Sequence, residues 1–140
     1  MRIVSLFAGC GGLDLGLIKS GHQVVLATDI DKDCKSTYDY NFNHSLLLKD
    51  VKELQGDEIP QYDLLTGGFP CQGFSVANLY RDVKDERNEL YLEIVRLLRD
   101  TNLKYFLAEN VPGILSLGNG KIVKQIMKEF SEIGIEEGKL

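Results

Sequence analysis

A chain of 140 residues, 44% of them apolar, is long enough for one compact domain with a real core and short for two. Its formal net charge of −5 argues against a general polyanion-binding surface, because such surfaces use excess Lys and Arg to displace counterions, so any nucleic acid must meet a local basic patch or a partner chain. Three widely spaced cysteines, Cys10, Cys34 and Cys71, suggest neither a disulfide framework nor a metal-binding pair, which fits a reducing compartment; no apolar run approaches the roughly 18 residues of a membrane span.

The opening run, residues 2–7 (RIVSLF), reads as a strand that stops abruptly at AGCGG, and the apolar positions Leu13, Leu15, Leu17 and Ile18 then follow a helical period. The unit repeats. Residues 22–30 (HQVVLATDI) form a second strand closed by Asp29 and Asp31, and 32–42 read as a polar-faced helix. A weaker strand around 45–48 and a short helical piece at 51–54 lead to a further strand at 62–66 (YDLLT), which runs into GGFPCQ. Residues 69–88 have no sustained period, and an irregular stretch of that length in a compact domain is usually functional or disordered. The spacing of Leu90, Ile94, Leu97 and Leu98 predicts a helix over 89–99; LKYFLA at 103–108 predicts a buried strand ending at Glu109 and Asn110; and Ile122, Ile126, Phe130 and Ile133 mark a last amphipathic helix. Alternating strands and helices predict an α/β fold with a mostly parallel sheet covered on both faces.

Ligands of such sheets gather outside the carboxyl ends of the strands, near the point where strand order reverses. Every distinctive motif here falls at such an end. FAGCGGLDLG is a glycine-rich strand-to-helix turn, where missing side chains let a ligand approach the backbone and the helix N-terminus offers free N–H groups. Asp14 occupies the position where a dinucleotide fingerprint needs glycine, which disfavours a nicotinamide or flavin enzyme and leaves room for a nucleoside ligand without a pyrophosphate. Asp29, twenty residues beyond Gly9, stands where an acid accepts hydrogen bonds from ribose hydroxyls, although it is equally placed to cap the following helix. Asp50 has the same two readings, a cap or an acceptor for an adenine amino group.

An isolated cysteine is more often a small buried hydrophobe than a nucleophile. Cys71, however, follows Gly-Gly-Phe-Pro at the mouth of a sheet and precedes polar Gln72 and Ser75, and Pro70 fixes the backbone so as to aim the sulfur outward. Glu109 and Asn110 place a carboxyl and an amide at a neighbouring strand end, and a partly buried carboxyl there holds a proton near neutral pH. His22 and His44 sit in plain contexts expected at the surface, so a Cys-His hydrolase is not favoured.

FAGCGGLDLG, Asp29, GGFPCQGFS and ENV, in this order and spacing, resemble the DNA (cytosine-5) methyltransferases over essentially the whole chain. The resemblance implies a Rossmann-like S-adenosylmethionine-dependent methyltransferase fold, here truncated on its C-terminal side, with residues 1–140 forming a partial catalytic domain and the target-recognition domain absent. It implies an S-adenosylmethionine site made of Phe7, Ala8, Gly9, Cys10, Gly11 and Gly12, of Asp29 on the ribose and Ile30 on the adenine, of Asp50 and Val51 at the adenine edge, and of Pro70 and Leu90. Asp29 departs from the glutamate common at that place, and its shorter side chain has less reach. The resemblance further implies Cys71 as the thiolate that attacks cytosine C6, Glu109 as the acid at N3, Asn110 as an ordering residue, and Gln72, Ser75 and Arg87 as contacts to a base flipped out of double-stranded DNA. No metal is implied. The expected setting is cytoplasmic and away from any membrane. Because the sequence stops where a further strand is expected, the resemblance points to a fragment or to one subunit of a split enzyme whose complementary subunit carries the target-recognition region. Two other readings share these motifs: a catalytically silent module that binds cofactor or partner, and an RNA cytosine-5 methyltransferase.

Overall fold

The computed structural model describes residues 1–70, 90–101 and 105–133. Strand β1 (Arg2–Leu6) is followed by helix α1 (Gly12–Lys19), β2 (Gln23–Asp29), α2 (Lys32–Asn41), the short β3 (Leu47–Leu48), single helical turns at Val51–Glu53 and Gly56–Glu58, and β4 (Leu64–Gly68). Helix α3 (Leu90–Thr101), β5 (Tyr105–Glu109), an irregular helical stretch Pro112–Gly120 and α4 (Lys121–Ser131) complete the described chain. The five strands form one sheet in the order β3-β2-β1-β4-β5. Among the described residues, no helix is long and apolar enough to cross a membrane.

The chain divides into two compact units, the first holding β1 to β4 and β5 through Ala108, the second Phe69, Pro70, α3 and the chain from Glu109 onward. At the centre of the first unit, β1 pairs in parallel with β2 on one side (Ile3 opposite Val24, Leu6 opposite Thr28) and with β4 on the other (Ile3 opposite Leu64, Leu6 opposite Gly67). Strand β2 continues in parallel to β3 through Thr28–Leu47 and Asp29–Leu48. Successive strands therefore step outward from β1 to β3, and β4 returns to the opposite side of β1. Strand order thus reverses between β1 and β4, and all the paired strands point the same way, so the glycine turn after β1 emerges at the switch point.

Central placement explains the composition of β1: Ile3, Val4, Ser5 and Leu6 are all buried, as a strand covered on both faces requires. Ile3, Val24, Ala27, Tyr38 and Leu46 form a core cluster against which Ala8, Leu17, Ile18, Cys34, Phe42 and Leu64 pack. Each fully buried aliphatic in such a cluster contributes about 1.5–3 kcal/mol of transfer free energy. The register shift between Ile3 and Val4 is a local bulge in the β1–β2 ladder.

In the second unit, α3 buries Tyr91, Ile94, Val95, Leu97 and Leu98, one residue row wider than the stripe read from the sequence. Tyr91 lies between Phe69 and Phe130, with ring centroids 6.0 and 6.5 Å away. Of the apolar row on α4, Ile126 is buried.

Two expectations are corrected. LKYFLA is not a buried strand: Tyr105, Phe106 and Leu107 are 57, 41 and 42% exposed on β5, the edge strand of the sheet among the described residues. His44 is not a plain surface residue. Its Nε2 lies 2.9 Å from the hydroxyl of the fully buried Tyr38.

Candidate functional site

The turn from β1 to α1 is built from left-handed backbone. Phe7, Gly9 and Gly11 have φ of 54°, 54° and 88°, values that cost a side-chain-bearing residue such as Phe7 roughly 1 kcal/mol or more and glycine almost nothing. Neighbouring strand ends hold this backbone in place. The N–H of Ala8 donates to the carbonyl of Thr28 at 3.0 Å, that of Gly9 donates to Asp29 Oδ2 at 2.8 Å, and that of Gly11 closes the turn onto the Ala8 carbonyl at 2.9 Å. Gly11 is the N-cap of α1 and offers no side-chain hydrogen bond, so the first N–H groups of that helix have no side-chain cap.

Beneath the turn lies a buried polar chain. Asp14, wholly buried in α1, accepts hydrogen bonds from Ser5 Oγ and from the Tyr38 hydroxyl, both at 2.6 Å. The single Tyr38 hydroxyl proton is thereby used, so His44 Nε2 donates to that oxygen in turn. Burial, with Asp14 beside it, pushes the Tyr38 hydroxyl well above the ordinary tyrosine range. Phe42 stacks on Tyr38 with centroids 4.4 Å apart and presses against Gly11, where an added Cβ would stand 2.6 Å from Phe42 Cζ and 3.0 Å from Tyr38 Cε2. In the sequence Asp14 stands out only as a departure from the dinucleotide fingerprint, and the one local sign of its partners is that it is an acid inside an otherwise apolar helix face.

Both oxygens of Asp29 are anchored, Oδ2 by Gly9 and Oδ1 by the N–H of Asp31 at 2.8 Å. Each oxygen keeps a free lone-pair direction. The capping role open to Asp29 falls instead to Asp31, whose carboxylate accepts from Asp33 N at 2.9 Å at the start of α2. Ile30, next to Asp29, is 71% exposed, a large aliphatic left bare at the end of β2. Asp50 follows β3 and accepts from Lys52 N at 2.9 Å, so its capping role is realised; Val51 is buried, and the Lys49 N–H ties this segment to the Asp29 carbonyl at 3.1 Å. The turn, Asp29 with Ile30, and Asp50 therefore stand at the ends of three adjacent parallel strands.

In the second unit, Pro70 and Leu90 are half-buried, and Glu109, expected to be partly buried, is instead exposed at the end of β5. Asn110 Nδ2 donates to the Phe69 carbonyl at 2.7 Å, and its Oδ1 accepts from Val111 N at 2.9 Å, so this amide clamps the residue just before Pro70. Cys71, Gln72, Ser75 and Arg87 lie outside the described residues.

Known proteins share this pattern. Residues 1–136 match the family model for C-5 cytosine-specific DNA methylases. The type II methyltransferase M.FnuDI of Fusobacterium nucleatum is 44% identical over 134 residues, covering 96% of this chain and 39% of that protein, and M.NgoPII of Neisseria gonorrhoeae is 36% identical over 138 residues, covering 97% and 40%. Among solved structures, a prophage-encoded DNA modification methyltransferase of E. coli superposes with a TM-score of 0.76 at 34% identity over 94% of this chain and 38% of its own, and DNMT2 of Spodoptera frugiperda with 0.68 at 29% identity over 91% and 40%. The chain thus spans about two-fifths of the length of the relatives it matches, and a family match running from its first residue to position 136 means that it belongs to the C-5 cytosine-specific DNA methylases.

Proposed function

We propose that this chain is the cofactor-binding and nucleophile-bearing part of a DNA (cytosine-5) methyltransferase, with S-adenosylmethionine as methyl donor and double-stranded DNA as substrate. The observation that carries this reading is the Asp29 carboxylate, fixed by the Gly9 and Asp31 N–H groups beside a glycine turn and a bare Ile30.

The residues present fit a nucleoside carrying an amino-acid tail. Asp29 offers acceptors for the two ribose hydroxyls, and its anchoring keeps the shorter aspartate in place where a longer glutamate would reach further. Ile30 supplies an apolar face for the adenine, with Phe7 beside it. Asp50 and the Val51 backbone stand at its edge. Ala8 to Gly12 leave backbone and an uncapped helix N-terminus for the carboxylate of the tail, with Cys10 in the same turn. When bound, this cofactor supplies a methyl group made electrophilic by its sulfonium.

Cytosine C5 is too weak a nucleophile to take that methyl unaided. The Cys71 thiolate adds to C6, which turns C4–C5 into an enamine with a nucleophilic C5. Negative charge moves onto the ring as the thiolate adds, and Glu109 meets it with a proton at N3. Asn110 acts by holding Phe69, two residues before the nucleophile. Once C5 carries the methyl, loss of the C5 proton to a base, departure of the Cys71 thiolate and return of the N3 proton to Glu109 restore the aromatic ring. Because C6 is hidden in a duplex, the base must leave the stack, and Gln72, Ser75 and Arg87 are the proposed contacts to it.

The matched relatives extend well beyond the part aligned with this chain, and the proposed target-reading surface lies outside the described residues. Tritium transfer from labelled S-adenosylmethionine to cytosine-containing duplex tests this reading. The chain alone is expected to give background counts, and a mixture with the C-terminal part of a close relative is expected to give counts that vanish in Cys71→Ser. Counts that persist in that variant contradict the assignment of the nucleophile.

A further inference from the structure

Asp14 stands in the first turn of α1, wholly buried, and its two oxygens are taken by side chains of other elements: Oδ1 accepts from Ser5 Oγ of β1 and Oδ2 from the Tyr38 hydroxyl of α2, each at 2.6 Å. An acid in a first helical turn is ordinarily drawn to the unpaired N–H groups there. Here it is held away from them, and the start of α1 has no side-chain cap.

Tyr38 reaches this turn twice. Its hydroxyl holds Asp14, and its ring, beside that of Phe42, lies against Gly11, where an added Cβ would stand 3.0 Å from Tyr38 Cε2. His44 meets the same hydroxyl at 2.9 Å, and its ring stands edge-on to Tyr38 with centroids 5.5 Å apart. The loop that carries His44 is itself tied down: Lys35 Nζ donates to Ser45 Oγ and to the Leu46 carbonyl, both at 2.6 Å, and Leu46 N donates to Asp39 Oδ1 at 2.8 Å. The methyl-transfer chemistry proposed above uses none of these side chains.

We propose that Tyr38 is a positioning residue for the amino-acid tail of the cofactor: by holding Asp14 inward and backing Gly11, it leaves the first N–H groups of α1 to the carboxylate of the tail. This rests on the S-adenosylmethionine reading of the turn. A buried carboxylate stripped of one donor turns toward the nearest remaining ones. For Asp14 those are the N–H groups of its own first turn, so a freed Asp14 competes with the tail for the same donors. The ribose and adenine, assigned to Asp29 and Ile30 at the end of β2, are untouched by that competition. Loss of the Tyr38 hydroxyl therefore weakens binding of the tail and spares binding of the nucleoside.

The test uses the full chain and two ligands that share a nucleoside thioether: S-adenosylhomocysteine, which carries the tail, and methylthioadenosine, which lacks it. Tyr38→Phe keeps the ring against Gly11 and removes the hydroxyl alone. In calorimetric titration it is expected to bind S-adenosylhomocysteine about tenfold more weakly than the parent and methylthioadenosine within about twofold of it. A merely structural role would weaken both alike. The unsubstituted chain has two histidines, which proton NMR separates. The His44 ring resonances are expected to shift with S-adenosylhomocysteine and to stay in place with methylthioadenosine, while His22, before the amino end of β2, responds to neither. Equal losses for the two ligands, unchanged S-adenosylhomocysteine affinity in folded Tyr38→Phe, or His44 resonances that do not move overturn the proposal. If Tyr38→Phe does not fold, the histidine measurement decides alone. A parent chain that binds neither ligand overturns the cofactor reading and this proposal with it.

Discussion

At the scale of single residues, the glycine turn shows why position matters more than residue type. Gly11 combines a φ of 88° with the Phe42 ring pressed against it, whereas an added Cβ at Gly12 meets nothing within 4 Å. Gly11→Ala is therefore expected to destabilise the chain by about 2–4 kcal/mol, and Gly12→Ala by under about 0.5 kcal/mol, in urea titrations followed by circular dichroism. Tyr38 supplies a pH-dependent prediction. Its folded pKa is raised, so above the unfolded value near 10 the unfolded chain binds fewer protons than the folded one, and stability falls as pH rises. Cys34, raised to about 12, adds a loss of the same sign beginning near pH 9. Melting temperature is expected to fall between pH 9 and 11, less steeply in Tyr38→Phe; equal slopes would contradict the role given to the Tyr38–Asp14 bond. The sequence makes the turn legible through its glycines, and Asp29 through its distance from Gly9. The Ser5–Asp14–Tyr38–His44 chain was not legible, because its members come from a strand, two helices and a loop, and only packing reveals that their polar atoms meet.

At the scale of elements, hydrophobic period and turn residues place nearly every described strand and helix, and the errors are informative. Asp29 and Asp31 both stand ahead of α2, and sequence cannot tell which one caps it; the structure gives the cap to Asp31 and leaves Asp29 turned toward the glycine turn. Asp31→Ala is expected to cost about 1 kcal/mol of stability through the lost cap. It also removes the acceptor of the Cys34 thiol. LKYFLA misled because composition reports what a strand is suited to pack against, and an apolar strand reads the same whether or not a neighbour is present. Asn110, expected only as an ordering residue, has a definite task in its clamp on the Phe69 carbonyl. Cys71 lies outside the described residues.

At the scale of the whole molecule, Tyr105 and Leu107 stand exposed on β5, the edge strand among the described residues. An open apolar edge invites pairing. Tyr105→Lys is expected to reduce concentration-dependent association in sedimentation experiments without lowering the melting temperature; association unchanged by that substitution would place the contact elsewhere. Family and fold were legible from four motifs at strand ends, since backbone approach, ribose acceptors and a thiol each demand particular residues at fixed places. The central claim is that Asp29, held by Gly9 and Asp31, binds the ribose of S-adenosylmethionine. Calorimetric titration of the reduced chain and of Asp29→Ala tests it most directly: one cofactor per chain, with affinity falling at least about tenfold in the folded variant, is the predicted result, and a folded parent chain that binds no cofactor, or a variant that binds equally well, would contradict it.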